Sequence, residues 1–261
     1  MRFWWAVTLV LGPVMAQAPP GTMRAFREYS AAVQSAGNSM RVAAGPRLAR
    51  LRAGQILTVS AGSLGLQPSI PVPRGQVQHW IGAVFVPHTT IARALPGLQD
   101  YGNRKRYMRP AIAESRIASH NCDDFHVYLR LVQQSLISAV FDVNLQITYR
   151  RIDAAHLVIE SKSESVREVP SVDSPPGTPA HDRGFIWALD DYWRLEEKDG
   201  GVYVECEALL LSRQVPAVFR WIANAIIARA AERLLAGTLK ATVRIMRDSS
   251  NLNEGAPAPL R

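Results

Sequence analysis

Apolar residues recur at helical spacing near both ends of the chain and at strand spacing through its middle. Phe26, Tyr29, Ala32 and Val33 predict a first helix capped by Thr22; Pro46 to Arg52 reads as a short second helix, ended by Gly54. QILTVS, Gln55 to Ser60, reads as a short strand, and the turn-rich connector AGSLGLQPSIPVPRG follows it. VQHWIGAVFV, Val77 to Val86, is a longer strand. Thr89 to Leu95 and Gly97 to Tyr107 predict two short helices broken by Pro96. Six strands come next: Ala111 to Ser119, Phe125 to Gln134, Ala139 to Arg151, His156 to Val169, Gly184 to Glu197 and Val202 to Ser212. Asn, Asp and Gly turns separate them, with one long Pro-rich loop from Pro170 to Arg183, expected as a rim or lid. A long helix over Pro216 to Met246 closes the pattern. Its residues Phe219, Ile222, Ile226, Ala230, Leu234 and Leu239 lie roughly on one face. A polar tail, 248–261, is expected to be disordered.

The hairpin around Lys198-Asp199-Gly200-Gly201 is rich in rings and carboxylates. Asp199-Gly200 suits a type I′ turn. That turn pairs Arg194 with Glu205, Tyr192 with Glu207 and Glu196 with Tyr203; moving it by one residue would set Glu196 against Glu205, two like charges. One face then carries Phe185, Trp187, Leu189, Trp193 and Leu195 with Val202, Val204, Cys206, Ala208 and Leu210. The other carries Tyr192, Arg194 and Glu196 with Tyr203, Glu205 and Glu207. The apolar face should meet the C-terminal helix, and the polar face should form a cross-strand network.

The order of one strand, two short helices, six strands and one long helix resembles the helix-grip fold of the START and polyketide-cyclase-like superfamily, which includes birch-pollen-allergen-like proteins. HWIGAVFVP at 79–87 and the stretch Gly184 to Pro216 also resemble exported bacterial START-like proteins of undefined function. The resemblance implies an α+β fold: a curved, seven-stranded antiparallel sheet around the C-terminal helix over residues 75–247, with a cavity between them. Residues 17–74 are expected to be an extension packed on that domain, since they are too few to bury a good core alone.

Composition narrows this reading a little. The chain has 261 residues, 48% hydrophobic, with a net charge of +8. That is a globular composition, and its basic balance permits an anionic membrane surface as a partner. The densest basic cluster, Arg104, Lys105, Arg106 and Arg109, has no nucleic-acid-binding pattern around it, so nucleic acid is not expected. MRFWWAVTLVLGPVMA reads as a signal peptide cleaved after Ala16, giving a periplasmic or secreted protein. Cys122 sits at a polar turn and Cys206 in mid-strand; Cys206 reads as a small core residue rather than a disulfide partner.

The chemistry is sparse. Ala61-Gly62-Ser63-Leu64-Gly65 imitates a nucleophile elbow but lacks the helix that must follow it. HNCDDFH, 120–126, gathers ligand-type residues, yet Asn and Asp are also what a turn wants, so no metal is expected there. No cofactor fingerprint occurs. The expected function is therefore binding of an apolar or amphipathic small molecule, lipid-like or polyketide-like. The residues expected to line its cavity are Trp187, Leu189, Trp193, Val204, Cys206, Leu145, Phe219, Ile222 and Ile226, with Tyr149 and His79 as polar tips. A cyclase-type enzyme using Tyr149, His79, Asp191 and Arg194 is the alternative, and a cell-envelope interaction module is a third.

Overall fold

The structure is a computed structural model. It describes residues 17–133, 138–178, 180, 183, 185–214 and 220–254, with the backbone alone at 220–227 and 252–254. The signal-peptide reading, Pro216 and Phe219 lie outside the described residues.

Helix α1 spans Pro20–Ser35 and α2 Arg47–Arg52; strand β1 spans Leu57–Ser60 and β2 Gly75–Pro87. Helices α3, Ile91–Gln99, and α4, Arg104–Met108, follow. Strands β3 to β8 are Ile112–Asn121, Asp124–Gln133, Ala139–Arg151, His156–Val169, Ala188–Lys198 and Gly201–Arg213. Helix α5 is Arg220–Glu254. All eight strands form one antiparallel sheet in the order β1-β2-β8-β7-β6-β5-β4-β3. Register shifts in β3 and between Asn144 and Leu145 supply bulges of the kind that bend sheets. The sheet has eight strands rather than the expected seven because β1 joins the outer edge of β2, Leu57 opposite Ala83. No described helix is long and apolar enough to cross a membrane.

The hairpin register is the expected one. Arg194 faces Glu205, Tyr192 faces Glu207 and Glu196 faces Tyr203. Asp199 and Gly200 both take positive φ, 56° and 74°, as a type I′ turn requires.

Four local expectations are corrected. Thr22 is not a cap: the helix begins after Pro19, and the buried Thr22 hydroxyl donates to the Pro73 carbonyl at 2.7 Å. Pro96 does not break its helix but lies inside α3, held there by packing of Ile91, Ala94 and Leu98. The tail is helical as far as Glu254, with Ser249 and Ser250 buried where α5 meets α3 and the end of β2. The 170–183 loop is no lid over its described residues. It folds against the outer side of β4 and β5, where the Arg130 guanidinium donates to the Val172 and Ser174 carbonyls and Gly177 N–H donates to Asp142.

The sheet is buried on both faces. On the concave face, α5 lies close to β2. A Cβ on Gly82 would stand 2.7 Å from Leu239 Cδ1 and 3.0 Å from Leu235, so any larger residue would have to push these leucines aside. On the convex face the N-terminal extension makes two apolar clusters. Phe26, Tyr29 and Val33 pack on Trp187, Tyr192, Leu209 and Leu211; Val42, Leu51 and Leu57 pack on Ile81, Phe85 and Tyr203.

Between these clusters the extension covers charged groups. Glu205, fully buried, accepts the backbone N–H groups of Arg41, Val42 and Ala43 at 2.6–3.2 Å. Arg194 lies 2.7 Å from Glu207 and 3.6 Å from Glu205. Asp190 accepts from Ser30 at 2.6 Å and pairs with Arg27. Burial pushes the Glu205 carboxyl upward. For Glu207 burial acts the same way, but hydrogen bonding from His79 and the charge of Arg194 outweigh it and hold the group low. Removing Glu205 would leave the buried amides of Val42 and Ala43 and the half-buried amide of Arg41 without their acceptor. Glu205→Ala is expected to destabilise the fold by about 3–5 kcal/mol. Urea titration would show this, together with new proteolytic cleavage between residues 37 and 46; an unchanged midpoint would refute it.

Candidate functional site

Space remains between the concave face and α5. It is a cavity of about 240 Å³, walled by β2, β4, β5, β6, β7 and β8, by α3 and α4, and by α5 between Ala231 and Thr242. Its lining is mostly aliphatic and aromatic, with Trp80, Tyr101, Phe141, Tyr149 and Trp193 as the large rings.

Most of the sequence-predicted residues reach this space. Leu145, Tyr149, Leu189, Trp193, Val204 and Cys206 all line the cavity. They do so because the side-chain period of a strand is two and the hairpin register is the expected one. Ile222 and Ile226 belong to α5, but their side chains lie outside the described residues.

Trp187 and His79 are corrections. Trp187 N–H donates to the Leu211 carbonyl while Ala188 pairs with the same Leu211, so alternation slips by one residue at the start of β7. Ile186 takes the inward place, and Trp187 turns outward against α1. Its indole N–H is buried without an acceptor among the described residues. His79 also faces outward. It is 4% exposed, with Nε2 2.8 Å from Glu207 and Nδ1 3.0 Å from the Tyr29 hydroxyl. The carboxylate can only accept, so a neutral His79 carries its proton on Nε2 and receives the tyrosine hydroxyl on Nδ1. Of the alternative catalytic set, Arg194 shares that outer network, and only Tyr149 and Asp191 reach the cavity.

The polar groups inside are few. The Tyr149 hydroxyl donates to the Leu98 carbonyl at 2.8 Å and lies 2.7 Å from the Tyr101 hydroxyl. Burial raises both phenols, so they stay neutral. Arg104 stacks over the Tyr101 ring at 4.7 Å and bonds to the Leu98 carbonyl. Burial likewise raises the Cys206 thiol, which makes it a small apolar wall residue and not a nucleophile.

Asp191 is the exception. It projects from β7 into the cavity opposite Ser161 and Ala208, and no hydrogen-bond or ion-pair partner meets it among the described residues. Burial, reinforced by the neighbouring charge of Asp190, pushes its carboxyl up to about 7. The two adjacent acids thus differ completely. Asp190 points outward to Ser30 and Arg27, while Asp191 points inward to apolar walls.

Trp80, Tyr101, Leu98 and Ser161 were not foreseen as wall residues. Trp80 was legible in principle: it pairs with Ala208, already assigned inward. However, β2 is apolar on both faces, so its own alternation cannot say which side is which. Elsewhere, Cys122 is exposed at the β3–β4 turn and free, as is the buried Cys206. His120 stacks on Phe125 and His126 lies 3.2 Å from Glu164, and no metal-type cluster occurs among the described residues. Ser63 sits in a 3-10 turn and donates to the Ser60 carbonyl.

No family model matches the sequence, and no curated protein matches it. Solved structures do resemble it. A STAR-related lipid transfer protein from Xanthomonas axonopodis is 18% identical, with a TM-score of 0.48 over 69% of this chain and 97% of its own. The Zhui aromatase/cyclase from Streptomyces sp. R1128 is 11% identical, with a TM-score of 0.49 over 70% and 99%. A START superfamily protein from Mycobacterium smegmatis is 11% identical, with a TM-score of 0.41 over 67% and 96%. START and cyclase types are the neighbours that the element order led us to expect. With TM-scores below 0.5, the likeness carries no functional weight, and the cavity itself is the ground for assigning a role.

Proposed function

We propose that this chain is an exported small-molecule binding protein that holds an apolar or amphipathic ligand between the concave sheet and α5. One observation carries the reading: about 240 Å³ of space persists between the concave sheet and α5, lined by rings and aliphatic side chains. Protein interiors normally pack to crystal-like density, and empty apolar space is destabilising. Space kept at that cost is accounted for by a ligand that fills it. The volume is slightly under the roughly 300–1,000 Å³ of typical ligand sites, which favours a ligand of modest apolar size. Binding would draw on apolar burial at about 25 cal/mol per Å², with Asp191 and Ser161 as the polar contacts.

Filling the space from within is the direct test. Ala208 sits on the cavity wall. Ala208→Trp is expected to weaken binding of an apolar fluorescent probe at least about tenfold while leaving the melting temperature level or higher, because the indole replaces void with contacts. Equal probe binding by both proteins would move the ligand elsewhere.

Export rests on residues 1–16. Intact-mass measurement of protein from its own cells is expected to show a chain beginning at Gln17; a retained Met1 would rule this out.

A cyclase-type enzyme is the second reading, favoured by Asp191 alone. A carboxyl that titrates at about 7 between apolar walls suits general acid–base work. Both readings make binding depend on pH. An apolar ligand beside Asp191 strips water from it, which costs more when the group is ionised. Affinity for a neutral probe is therefore expected to be highest well below pH 7 and to fall as pH rises through about 7. Stability has the same sign. The folded pKa lies above the unfolded value of about 4, so the folded state holds more protons and loses stability between about pH 4 and 7. Asp191→Asn is expected to flatten both profiles in paired titrations; an unaltered profile would show that another group is responsible.

A further inference from the structure

The cavity opens at one end into a groove between the α4–β3 connection and the middle of α5, Ala230 to Arg244. Met108, Ala111, Gln133, Leu234 and Thr238 line both spaces. The groove encloses about 410 Å³ and is lined by Arg109, Arg233, Lys240 and Arg244, with no acidic residue. All four cations are exposed, and none has an acidic partner among the described residues. Arg233 donates only to the Arg229 carbonyl of its own helix, at 3.2 Å. Arg233, Lys240 and Arg244 are spaced seven and four residues apart, which places them on one stripe of α5.

Gly237 lies between them. A Cβ there would meet nothing within 4 Å, so no neighbour requires glycine. A mid-helix glycine is destabilising relative to alanine, and here its effect is to keep the groove floor low. Beside it Leu234, 41% exposed, stands where groove and cavity join. A slot with unpaired cations at one end and an apolar-walled space at the other matches one kind of molecule.

We propose that this groove is the headgroup site for an amphiphile with an anionic head, carboxylate or phosphate, whose tail occupies the cavity. Clustered like charges repel, and an anion among them relieves that repulsion. Guanidinium groups also suit carboxylate and phosphate oxygens geometrically. The inference rests on the proposed binding function and adds the charge of the ligand to it.

The test holds the tail constant and varies the head. Oleate, oleyl phosphate, oleyl alcohol and oleylamine would compete with an apolar probe at low salt. The native protein is expected to prefer both anions over the alcohol by about tenfold, less at high salt; the rank of oleate against oleyl phosphate identifies the head. The variant Arg233→Gln/Lys240→Gln/Arg244→Gln is expected to lose the preference while binding the alcohol as before. Gly237→Leu, which fills the floor without removing charge, is expected to lower the anions toward the alcohol. A variant with as much charge removed elsewhere, Arg24→Gln/Arg151→Gln/Arg167→Gln, is expected to keep the preference. Equal binding of oleate and oleyl alcohol by the native protein, or a preference that survives the groove variant, overturns the headgroup site and leaves the cavity reading standing. Failure of every oleyl compound, the alcohol included, overturns both. Binding to anionic phospholipid vesicles with no preference among the monomers assigns the charges to a membrane surface and overturns the site.

Discussion

Strands β2, β7 and β8 must be covered on both faces, and the rest of the structure depends on how that is done. Their inner faces meet α5 and the cavity; their outer faces meet the N-terminal extension. A sheet with one wet face could leave Glu205, Glu207, Arg194 and Asp190 in water. Here the extension covers them, so each must find partners inside the protein. Glu205 finds backbone amides of residues 41–43, and Asp190 finds Ser30 and Arg27. The extension is thus held by the charged groups that it buries, and its apolar contacts on either side offset the desolvation.

This outer layer is what frees the inner one. Because the convex face carries its own packed clusters, the concave face need not be filled solid to stabilise the sheet. The close approach of α5 at Gly82 holds one side of the grip tight, and the wall formed by β5, β6 and β7 stands away from the helix. Charged groups are sorted accordingly. Those buried under the extension, Asp190, Arg194, Glu205 and Glu207, are paired, whereas Asp191, facing inward, has no partner among the described residues and changes its proton affinity instead.

Much of this organisation is visible in the order and spacing of residues. The Asp199-Gly200 turn fixes the β7–β8 register, and with it the inward direction of Leu189, Trp193, Val204 and Cys206. The logic fails where the strand is not yet regular. Trp187 precedes β7 by one residue, and the two-against-one pairing at Leu211 turns it outward. It fails again at His79, because Val77 to Val86 is apolar at both parities and pattern alone cannot assign the faces. The basic groove was only half legible: the cluster at 104–109 stood out, but its neighbours on α5 are more than a hundred residues away.

The sequence by itself determined most of the elements and their order, the turn chemistry and the hairpin register, which depend on contacts between near neighbours. Tertiary structure alone decided which face each two-sided strand turns inward, that residues 170–178 cover the outside and not the mouth, and that Asp190 and Asp191 meet opposite surroundings. It also brought Arg109 beside Arg233, Lys240 and Arg244. These are outcomes of long-range packing, where the position of α1 or α5, and not the local pattern, sets whether a side chain meets water, a partner or empty space.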